Sequence, residues 1–340
     1  MDTMAEINHT IIIAEIGVNH GGDYDTACRL VKAAAESGAD YAKFQTFKAE
    51  SLASANAKRA EYQVANCGGE ESQLQMLKKL EISNQDLVRL QQVCRENGIG
   101  FMSSPFDLES VDFLATLGMD YWKIPSGEIT NLPYLERIAH YGGQVIMSTG
   151  MSTIQEVNDA VKALTDNGID RGDIILLHCN TQYPTPPEDV NLLAMEALRT
   201  LGCGKVGFSD HTQGVAIPIA AVAMGAEIIE KHFTYDKNAV GPDHKASADP
   251  TEFKAMVDGI RTIEVAKGSS YKHITDSERS NVEVARKSVV ARRPIKKGEY
   301  FTLENLTVKR PGSGISPMRW HEMLGQKAVR DFDTDELIEI

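Results

Sequence analysis

The 340-residue sequence predicts an α/β chain with a (β/α)8 TIM barrel followed by a small β-rich domain. Three observations lead to this prediction. Eight short apolar runs alternate with amphipathic helical patterns through about the first 265 residues. Eight such units are what a closed barrel requires. Beyond residue 267, short runs broken by Gly and Pro replace the alternation and indicate a separate β-rich domain.

The predicted strands are the eight apolar or β-branched runs, and apolar residues at helical spacing separate them. The strands lie at 10–16, 41–47, 99–105, 121–127, 144–150, 173–180, 205–211 and 227–233. The helices lie at 26–38, 83–98, 107–117, 131–140, 152–167, 189–201, 214–224 and 250–267. A doubly wound open sheet uses the same alternation and is the competing prediction, but the count of eight favours the barrel.

Changes of composition set the predicted domain boundaries. We expect the barrel to span 1–267, a polar linker to span 268–282, and the small β-rich domain to span 283–340. Within the barrel, the polar insertion 48–82 is rich in Ala, Ser and Gly. An insertion of this length is interpreted as a functional or lid-like loop.

Composition excludes several classes of protein. The net charge of −13 argues against a nucleic-acid binder, which normally carries a basic face. No run approaches the roughly 20 apolar residues of a membrane span. Five scattered cysteines, without a CxxC pair or a recognisable secretory leader, predict a cytoplasmic protein with reduced thiols.

Polar residues collect at the ends of the predicted strands, where a barrel carries its active site. Lys43 and Lys123 lie inside otherwise apolar runs. A buried ammonium there is costly unless it meets an anion. With hydroxyls at several neighbouring strand ends, the two lysines predict a cradle for phosphate and carboxylate groups. The alternative is that they form structural ion pairs with Glu15 and Glu128.

Two histidines end neighbouring predicted strands. His211 and His232 are separated by about one βα unit, so they can face each other. Two neutral imidazoles with open positions for oxygen ligands are typical of a catalytic divalent-metal site. The alternatives are hydrogen-bonded packing histidines and a general acid or base without metal. Asp210 and Lys231 flank the pair and are interpreted as residues that orient it.

The motifs AEIGVNHGG, AKFQTF, KIPSGE, STGMST, HCNTQYPTPPEDVNL, FSDHT, EKHFT and GPDHKAS together resemble the sialic acid synthase family. Its members are phosphoenolpyruvate-dependent nonulosonate synthases. The run KSVVARRPIKKGEYFTLENLTVKRPGSGISP resembles the antifreeze-like (SAF) domain that follows the barrel in that family. HCNTQYPTPPEDVNL and GPDHKAS resemble the legionaminic acid branch more than the N-acetylneuraminate branch.

The resemblance implies a reaction and a set of site residues. An unphosphorylated, open-chain N-acylated mannosamine-type sugar would be attacked by carbon 3 of phosphoenolpyruvate, water would add at C2, and phosphate would leave by C–O cleavage. His211 and His232 would hold a divalent metal, Mn²⁺ by preference, with Mg²⁺ or Co²⁺ as alternatives. Phosphoenolpyruvate would be held by Lys43, Lys123, Ser126, Ser148, Ser209 and either Asn180 or Thr181. The sugar would be held by Glu15, Gln45, Tyr183 and Asp243.

Two further residues receive roles from the resemblance. Glu128 is the candidate for positioning or deprotonating the attacking water, because a carboxylate near developing positive charge can do both. Arg310 would reach from the small domain of one chain into the barrel of another and bind the N-acyl group, which implies a domain-swapped homodimer. Without the resemblance, Arg310 would be interpreted as a solvated arginine in a turn.

Other functions remain open at this point. An N-acetylneuraminate synthase would act on N-acetylmannosamine. Another phosphoenolpyruvate-dependent synthase would need arginines at the barrel mouth for a phosphorylated sugar, and the strand ends carry almost none. A non-catalytic binding protein would not need polar residues at all eight strand ends. A Schiff-base aldolase would use Lys43 or Lys123 as its nucleophile and would need no metal.

Overall fold

The computed structural model describes residues 9–54, 56–68 and 71–340, without the side chains of residues 62 and 65. The chain divides into two compact units, Met1–Gly268 and Ser269–Ile340. Among the helices in the described part of the chain, none is long and apolar enough to cross a membrane.

The first unit is built on eight parallel strands. They are β1 (Ile11–Gly17), β2 (Tyr41–Thr46), β3 (Gly100–Pro105), β4 (Tyr121–Ile124), β5 (Gln144–Ser148), β6 (Ile174–Cys179), β7 (Lys205–Asp210) and β8 (Ile228–His232). Their order is β3-β2-β1-β8-β7-β6-β5-β4. Since the first and last strands pair with each other, the sheet curls into a nearly closed barrel. The predicted fold is confirmed, and the doubly wound alternative is excluded.

Helices surround this barrel. They are α1 (Tyr24–Glu36), α2 (Ala49–Leu52), α3 (Glu61–Cys67), α4 (Gln73–Leu80), α5 (Asn84–Glu96), α6 (Leu108–Ala115), α7 (Leu132–Tyr141), α8 (Ile154–Asp166), α9 (Ala194–Arg199), α10 (Ala216–Ala223) and α11 (Pro250–Lys267). Side chains that precede the first turn cap several of them, as Asp23, Ser83 and Thr153 do for α1, α5 and α8. Each cap satisfies an amide that the helix leaves unpaired.

Two apolar layers hold the barrel and define where a ligand can enter. One layer packs the outer faces of the strands against the helices. The other fills the interior of the barrel with Ile13, Met102, Ile146, Leu177 and Ile228. All five are at most 1% exposed. This inner layer forms a closed floor, so a ligand can lie only above it, towards the carboxyl ends of the strands.

The insertion 48–82 is helical over much of its described length, whereas the sequence was interpreted as a loop. It contains α2, α3 and α4. The Glu81 carboxylate accepts hydrogen bonds from the Ala49 amide and the Lys48 ammonium, which ties the end of α4 to the start of α2. Short helices in polar surroundings give a weak periodic signal, so their packing is a tertiary effect.

The second unit is small and mainly irregular. It contains α12 (Asp276–Ala285), β9 (Ser288–Ala291), β10 (Leu306–Lys309) and α13 (Trp320–Met323). The two strands pair antiparallel. Phe301 and Phe332 lie in its apolar core. Most of α12 falls in the stretch predicted as linker, and Thr275 starts this helix with a capping box.

Candidate active site

A cavity of about 460 Å³ lies at the carboxyl ends of the barrel strands. Most of the predicted site residues line it, although they come from seven of the eight strands and the loops that follow them. These residues are Glu15, Lys43, Gln45, Lys123, Ser126, Ser148, Thr181, Tyr183, Ser209, His211, His232 and Asp243. A cavity of this size and this density of polar groups is suited to small, highly functionalised ligands.

Four charged groups from opposite sides of the barrel meet in the cavity. Lys43 Nζ lies 2.5 Å from Glu15 Oε2 and 3.6 Å from Glu230 Oε1. Lys123 Nζ lies 3.8 Å from the same Glu230 oxygen. The interpretation of the lysines as members of ion pairs is therefore right for Lys43 with Glu15. For Lys123 the partner is Glu230 rather than the expected Glu128.

Burial and neighbouring charges set the protonation of this group. Burial lowers the pKa of Lys123, and Glu230 opposes the effect only in part. For Lys43, burial is outweighed by Glu15 and Glu230, so its pKa is raised. Burial would raise the pKa of Glu230, but the two lysines hold it below its ordinary value. Glu230 therefore keeps a negative charge between two ammonium groups.

Hydroxyl groups complete the cationic side of the cavity. Lys123 Nζ donates to Ser148 Oγ over 2.7 Å. The Gly150 amide donates to Ser126 Oγ over 3.0 Å. A Cβ on Gly150 would lie only 2.7 Å from Thr181 Cγ2, so this approach of the backbone requires glycine. Two lysines and several oriented hydroxyls form a cradle suited to an anion.

The two predicted metal ligands lie side by side. The ring centroids of His211 and His232 are 5.3 Å apart, and the Tyr183 ring lies 4.1 Å from that of His211. His211 Nδ1 is 2.5 Å from the carbonyl oxygen of Asn180, which fixes the ring and leaves Nε2 as the nitrogen available to a ligand. Among the described residues, the buried His232 Nδ1 has no hydrogen-bond partner.

Both histidines are held neutral. Burial lowers the pKa of His211 to about 4 and that of His232 well below its usual value. Neutral imidazoles and an unpartnered ring nitrogen are suited to a divalent cation. Among the described residues, no group of three His, Cys, Asp or Glu side chains could hold a metal unaided. The donor set therefore fits an open site whose other ligands would be substrate or water oxygens.

Asp243 brings a carboxyl group to the histidine side. Its Oδ2 is 3.9 Å from His232 Nδ1. Burial first, and then the charge of Glu15, raise the pKa of Asp243 to about 7. A carboxyl group with this pKa can accept or donate a hydrogen bond near neutral pH.

A buried ion pair stands behind the histidines. Lys231 Nζ donates to Asp210 Oδ2 over 2.5 Å and to the Thr212 carbonyl over 2.7 Å. Asp210, the last residue of β7, directly precedes His211, and Lys231 in β8 directly precedes His232; both are fully buried. The pair fixes the ends of two neighbouring strands relative to each other, which is how it can orient the histidines.

Three predicted residues are not among those that line the cavity. Glu128 accepts a hydrogen bond from Asn131 Nδ2 over 2.6 Å, and its role with the attacking water stays a prediction. Asn180 uses its side-chain oxygen to accept from the Gln182 amide, whereas Thr181 reaches the cavity. Arg310 lies in the second unit, where its Nε donates to the Ala285 carbonyl.

Sequence reasoning missed Glu230, although the strand pattern contained the signal. Side chains two residues apart in a strand share a face, so a carboxylate two positions before His232 must also point into the barrel. Ser104 and Cys179 were not assigned to the site from the sequence, yet they line the cavity beside Lys43 and Ser126. The sequence carried no signal for the side chains that α4 contributes, because they depend on how the insertion folds back.

Comparisons with known proteins identify the family of this chain. Residues 30–272 match the NeuB family and residues 286–339 match the SAF domain. The N,N'-diacetyllegionaminic acid synthase of Campylobacter jejuni is 51% identical over 97% of this chain and 98% of its own length. The N-acetylneuraminate-9-phosphate synthase of Homo sapiens is 37% identical over 96% of this chain and 90% of its own. A crystal structure of the N-acetylneuraminic acid synthetase of Leptospira borgpetersenii, 32% identical, superposes with a TM-score of 0.71 and covers 83% of this chain and 95% of that one.

Proposed function

Since this chain belongs to the NeuB family, we propose that it condenses phosphoenolpyruvate with an unphosphorylated N-acylated mannosamine-type sugar. Membership confirms the resemblance to the sialic acid synthases, so the chain is an enzyme. The sugar we favour is 2,4-diacetamido-2,4,6-trideoxymannose, which gives a legionaminic acid. The 51% identity to a relative named for N,N'-diacetyllegionaminic acid supports this choice.

One observation carries the proposal: a single cavity joins two buried lysines and several hydroxyls to a pair of neutral histidines. Lys43 and Lys123 are each at most 3% exposed. Buried ammonium groups that face a cavity supply strong binding for a small dianion. The histidines supply the other half, a site where an aldehyde oxygen can be polarised. A reaction between an anionic nucleophile and a carbonyl needs both an anion-binding site and a site that polarises the carbonyl oxygen.

The residues of the chain suit the steps of this reaction. The lysines and hydroxyls bind the phosphate and carboxylate of phosphoenolpyruvate and hold its C3 towards the sugar. When the new C–C bond forms, positive charge develops at C2, and the Glu230 carboxylate lies where it can offset that charge. Water then adds at C2 and loses one proton, and the new sugar alkoxide gains one. The C2 hydroxyl gives up its proton as the ketone forms, and phosphate leaves as hydrogen phosphate with the electrons of the bond between C2 and the phosphate oxygen. Glu15 and Gln45, joined by a 2.8 Å hydrogen bond, would orient sugar hydroxyls.

A divalent metal, Mn²⁺ by preference, is part of the proposal. His211 and His232 would hold it, and bound there it would supply Lewis-acid polarisation of the sugar aldehyde. The protein's own contribution is to keep both imidazoles unprotonated, which burial achieves. Cytoplasmic location and the swapped homodimer, in which Arg310 completes the partner's site, are also proposals from the family resemblance.

An unphosphorylated sugar is favoured over a phosphorylated one. Among the described residues that line the cavity there is no arginine, and both lysines lie in the cradle assigned to phosphoenolpyruvate. A second phosphate would therefore meet no cationic group of its own. The second candidate is N-acetylneuraminate synthesis from N-acetylmannosamine, which relatives named for N-acetylneuraminic acid and its 9-phosphate keep open.

The test is release of phosphate from phosphoenolpyruvate with each sugar, in Mn²⁺ and after metal removal by EDTA. We expect metal-dependent release that is faster with 2,4-diacetamido-2,4,6-trideoxymannose than with N-acetylmannosamine. The reverse preference would move the chain to the N-acetylneuraminate branch. No release with either sugar from folded, metal-loaded protein would refute the proposal. Borohydride trapping of a pyruvate adduct on a lysine would instead indicate a Schiff-base aldolase.

A further inference from the structure

One side of the cavity is lined by apolar side chains, whereas the strand ends at its base carry polar ones. The helix α4 presents Gln73, Met76, Leu77 and Leu80 to the cavity. These positions are spaced i, i+3, i+4 and i+7, so they form one face of the helix. Val18 and Phe106 extend the same surface from the barrel loops. We call the surface formed by Val18, Met76, Leu77, Leu80 and Phe106 the apolar wall.

The helix α4 is held firmly against the barrel. Leu77 packs with Val18 and Phe47, which follow β1 and β2. A Cβ on Gly22 would lie 2.4 Å from the carbonyl oxygen of Lys79, so the loop after β1 approaches the end of the helix closely. Glu81 adds the tie to α2 described above. The wall is therefore a fixed surface of the cavity.

Met76 faces the cavity and is not part of the apolar core that the described residues form around α4. It is only 4% exposed and lines the cavity. Among the described residues, however, it is absent from the apolar cluster that anchors α4, to which Leu74, Leu77 and Leu80 belong. A buried methionine that faces a cavity and not the core offers its thioether and methyl group to a ligand.

The wall lies one strand away from the histidines. His232 in β8 is the register partner of Glu15 in β1, and Val18 follows three residues later. A sugar whose aldehyde carbon reaches the histidines would lie over Glu15 and Gln45. The apolar floor of the barrel stops it from going deeper. Its far end then extends outwards, where α4 lines one side of the cavity.

From this placement we propose that the apolar wall, and Met76 in particular, selects a sugar that carries a methyl group in place of a hydroxyl at C6. The inference rests on the proposed function, because the proposed reaction places C1 at the histidines. A C6 hydroxyl turned towards Met76 would find no hydrogen-bond partner on the wall itself, whereas a methyl group would gain apolar contact.

The test compares two sugars that differ in one oxygen atom: 2,4-diacetamido-2,4,6-trideoxymannose and its counterpart with a C6 hydroxyl. We expect kcat/KM of the wild-type enzyme to be about 10- to 100-fold higher for the 6-deoxy sugar, the range for a hydroxyl placed in an apolar pocket. Met76→Gln, which offers the hydroxyl a partner, should reduce this preference to below about threefold. Met76→Leu should keep it.

A matched control uses the same helix. Leu74 packs in the anchoring cluster but does not line the cavity. Leu74→Gln should therefore leave the preference between the two sugars as in the wild type, whatever it does to stability. Equal kcat/KM for both sugars in the wild type, or an unchanged preference in Met76→Gln, would overturn the wall's role while the proposed reaction stands. If neither sugar is consumed, the proposed function fails, and this inference fails with it.

Discussion

Lys123 and Glu230 face each other inside the barrel, with 3.8 Å between Nζ and Oε1, although they belong to β4 and β8. Three strands separate β4 from β8 in the sheet order. The contact therefore spans the barrel and exists only because the sheet closes. It gives Lys123 a buried carboxylate partner, whereas Lys43 is also paired with Glu15.

Replacement of this carboxylate should change the pH dependence of phosphoenolpyruvate binding. In Glu230→Gln the lysines lose a charge that opposes the effect of burial, so we expect the pKa of Lys123 to fall further. KM for phosphoenolpyruvate should then rise with pH from a lower pH than in the wild type, and kcat/KM at neutral pH should fall by about 100-fold, or about 3 kcal/mol. Steady-state kinetics across pH measure both.

Glu227→Gln is the control for this variant, because Glu227 directly precedes the same strand but does not line the cavity. It should keep the wild-type profile. An identical pH profile for Glu230→Gln and the wild type would contradict the role assigned to Glu230.

The structure separates the neighbours Asn180 and Thr181. Thr181→Val removes the hydroxyl of a residue that lines the cavity, so KM for phosphoenolpyruvate should rise by about 10- to 100-fold, the value of one hydrogen bond to a charged group. Asn180→Ala removes the acceptor for the Gln182 amide. It should therefore lower the melting temperature and leave KM for phosphoenolpyruvate close to the wild-type value. Steady-state kinetics and thermal unfolding of both variants show which of the two residues contacts phosphoenolpyruvate. A larger KM effect from Asn180→Ala would reverse the assignment.

Asp243 should make the metal-free protein less stable as pH rises. Its carboxyl pKa is raised by burial from 3.8 to about 7, so the folded chain keeps a proton that the unfolded chain releases. That contribution is complete below about pH 4 and is lost as pH rises through about 7. Relative to Asp243→Asn, the wild type should lose up to about 4 kcal/mol of unfolding free energy between those limits.

Urea unfolding in EDTA at several pH values measures this difference. Asp276→Asn changes a carboxylate that is 92% exposed and should follow the wild type. A constant difference between Asp243→Asn and the wild type across pH would show that the Asp243 carboxyl group titrates normally.

The proposed shared site predicts that two inactive variants restore each other. Lys123→Ala disables the barrel, and Arg310→Ala disables the small domain. In a swapped heterodimer, one of the two sites combines an intact barrel with an intact arginine. Co-expression of the two variants should therefore recover about a quarter of wild-type activity if chains pair at random. Activity no higher than that of the separate variants would refute a site shared between chains.

The pattern of residues along the chain was enough to predict the barrel and most of its site. Eight strands with helices between them define the alternation, and polar residues after each strand identify the catalytic face. Twelve of the predicted residues line the cavity for this reason. Their position at a strand end is a local property, and the closure of the barrel brings every such end to one place.

Features that depend on contacts across the fold were not predictable in this way. Glu230 compensates Lys123 from a distant strand, and the helices of the insertion 48–82 fold back as a roof whose weak local pattern predicted a loop. Asn180 and Thr181 are adjacent in sequence, so only the hydrogen bonds of their loop assign one to the turn and the other to the cavity. Local periodicity records which face of an element is apolar. The partner that each polar group meets is set by packing between elements far apart in the chain.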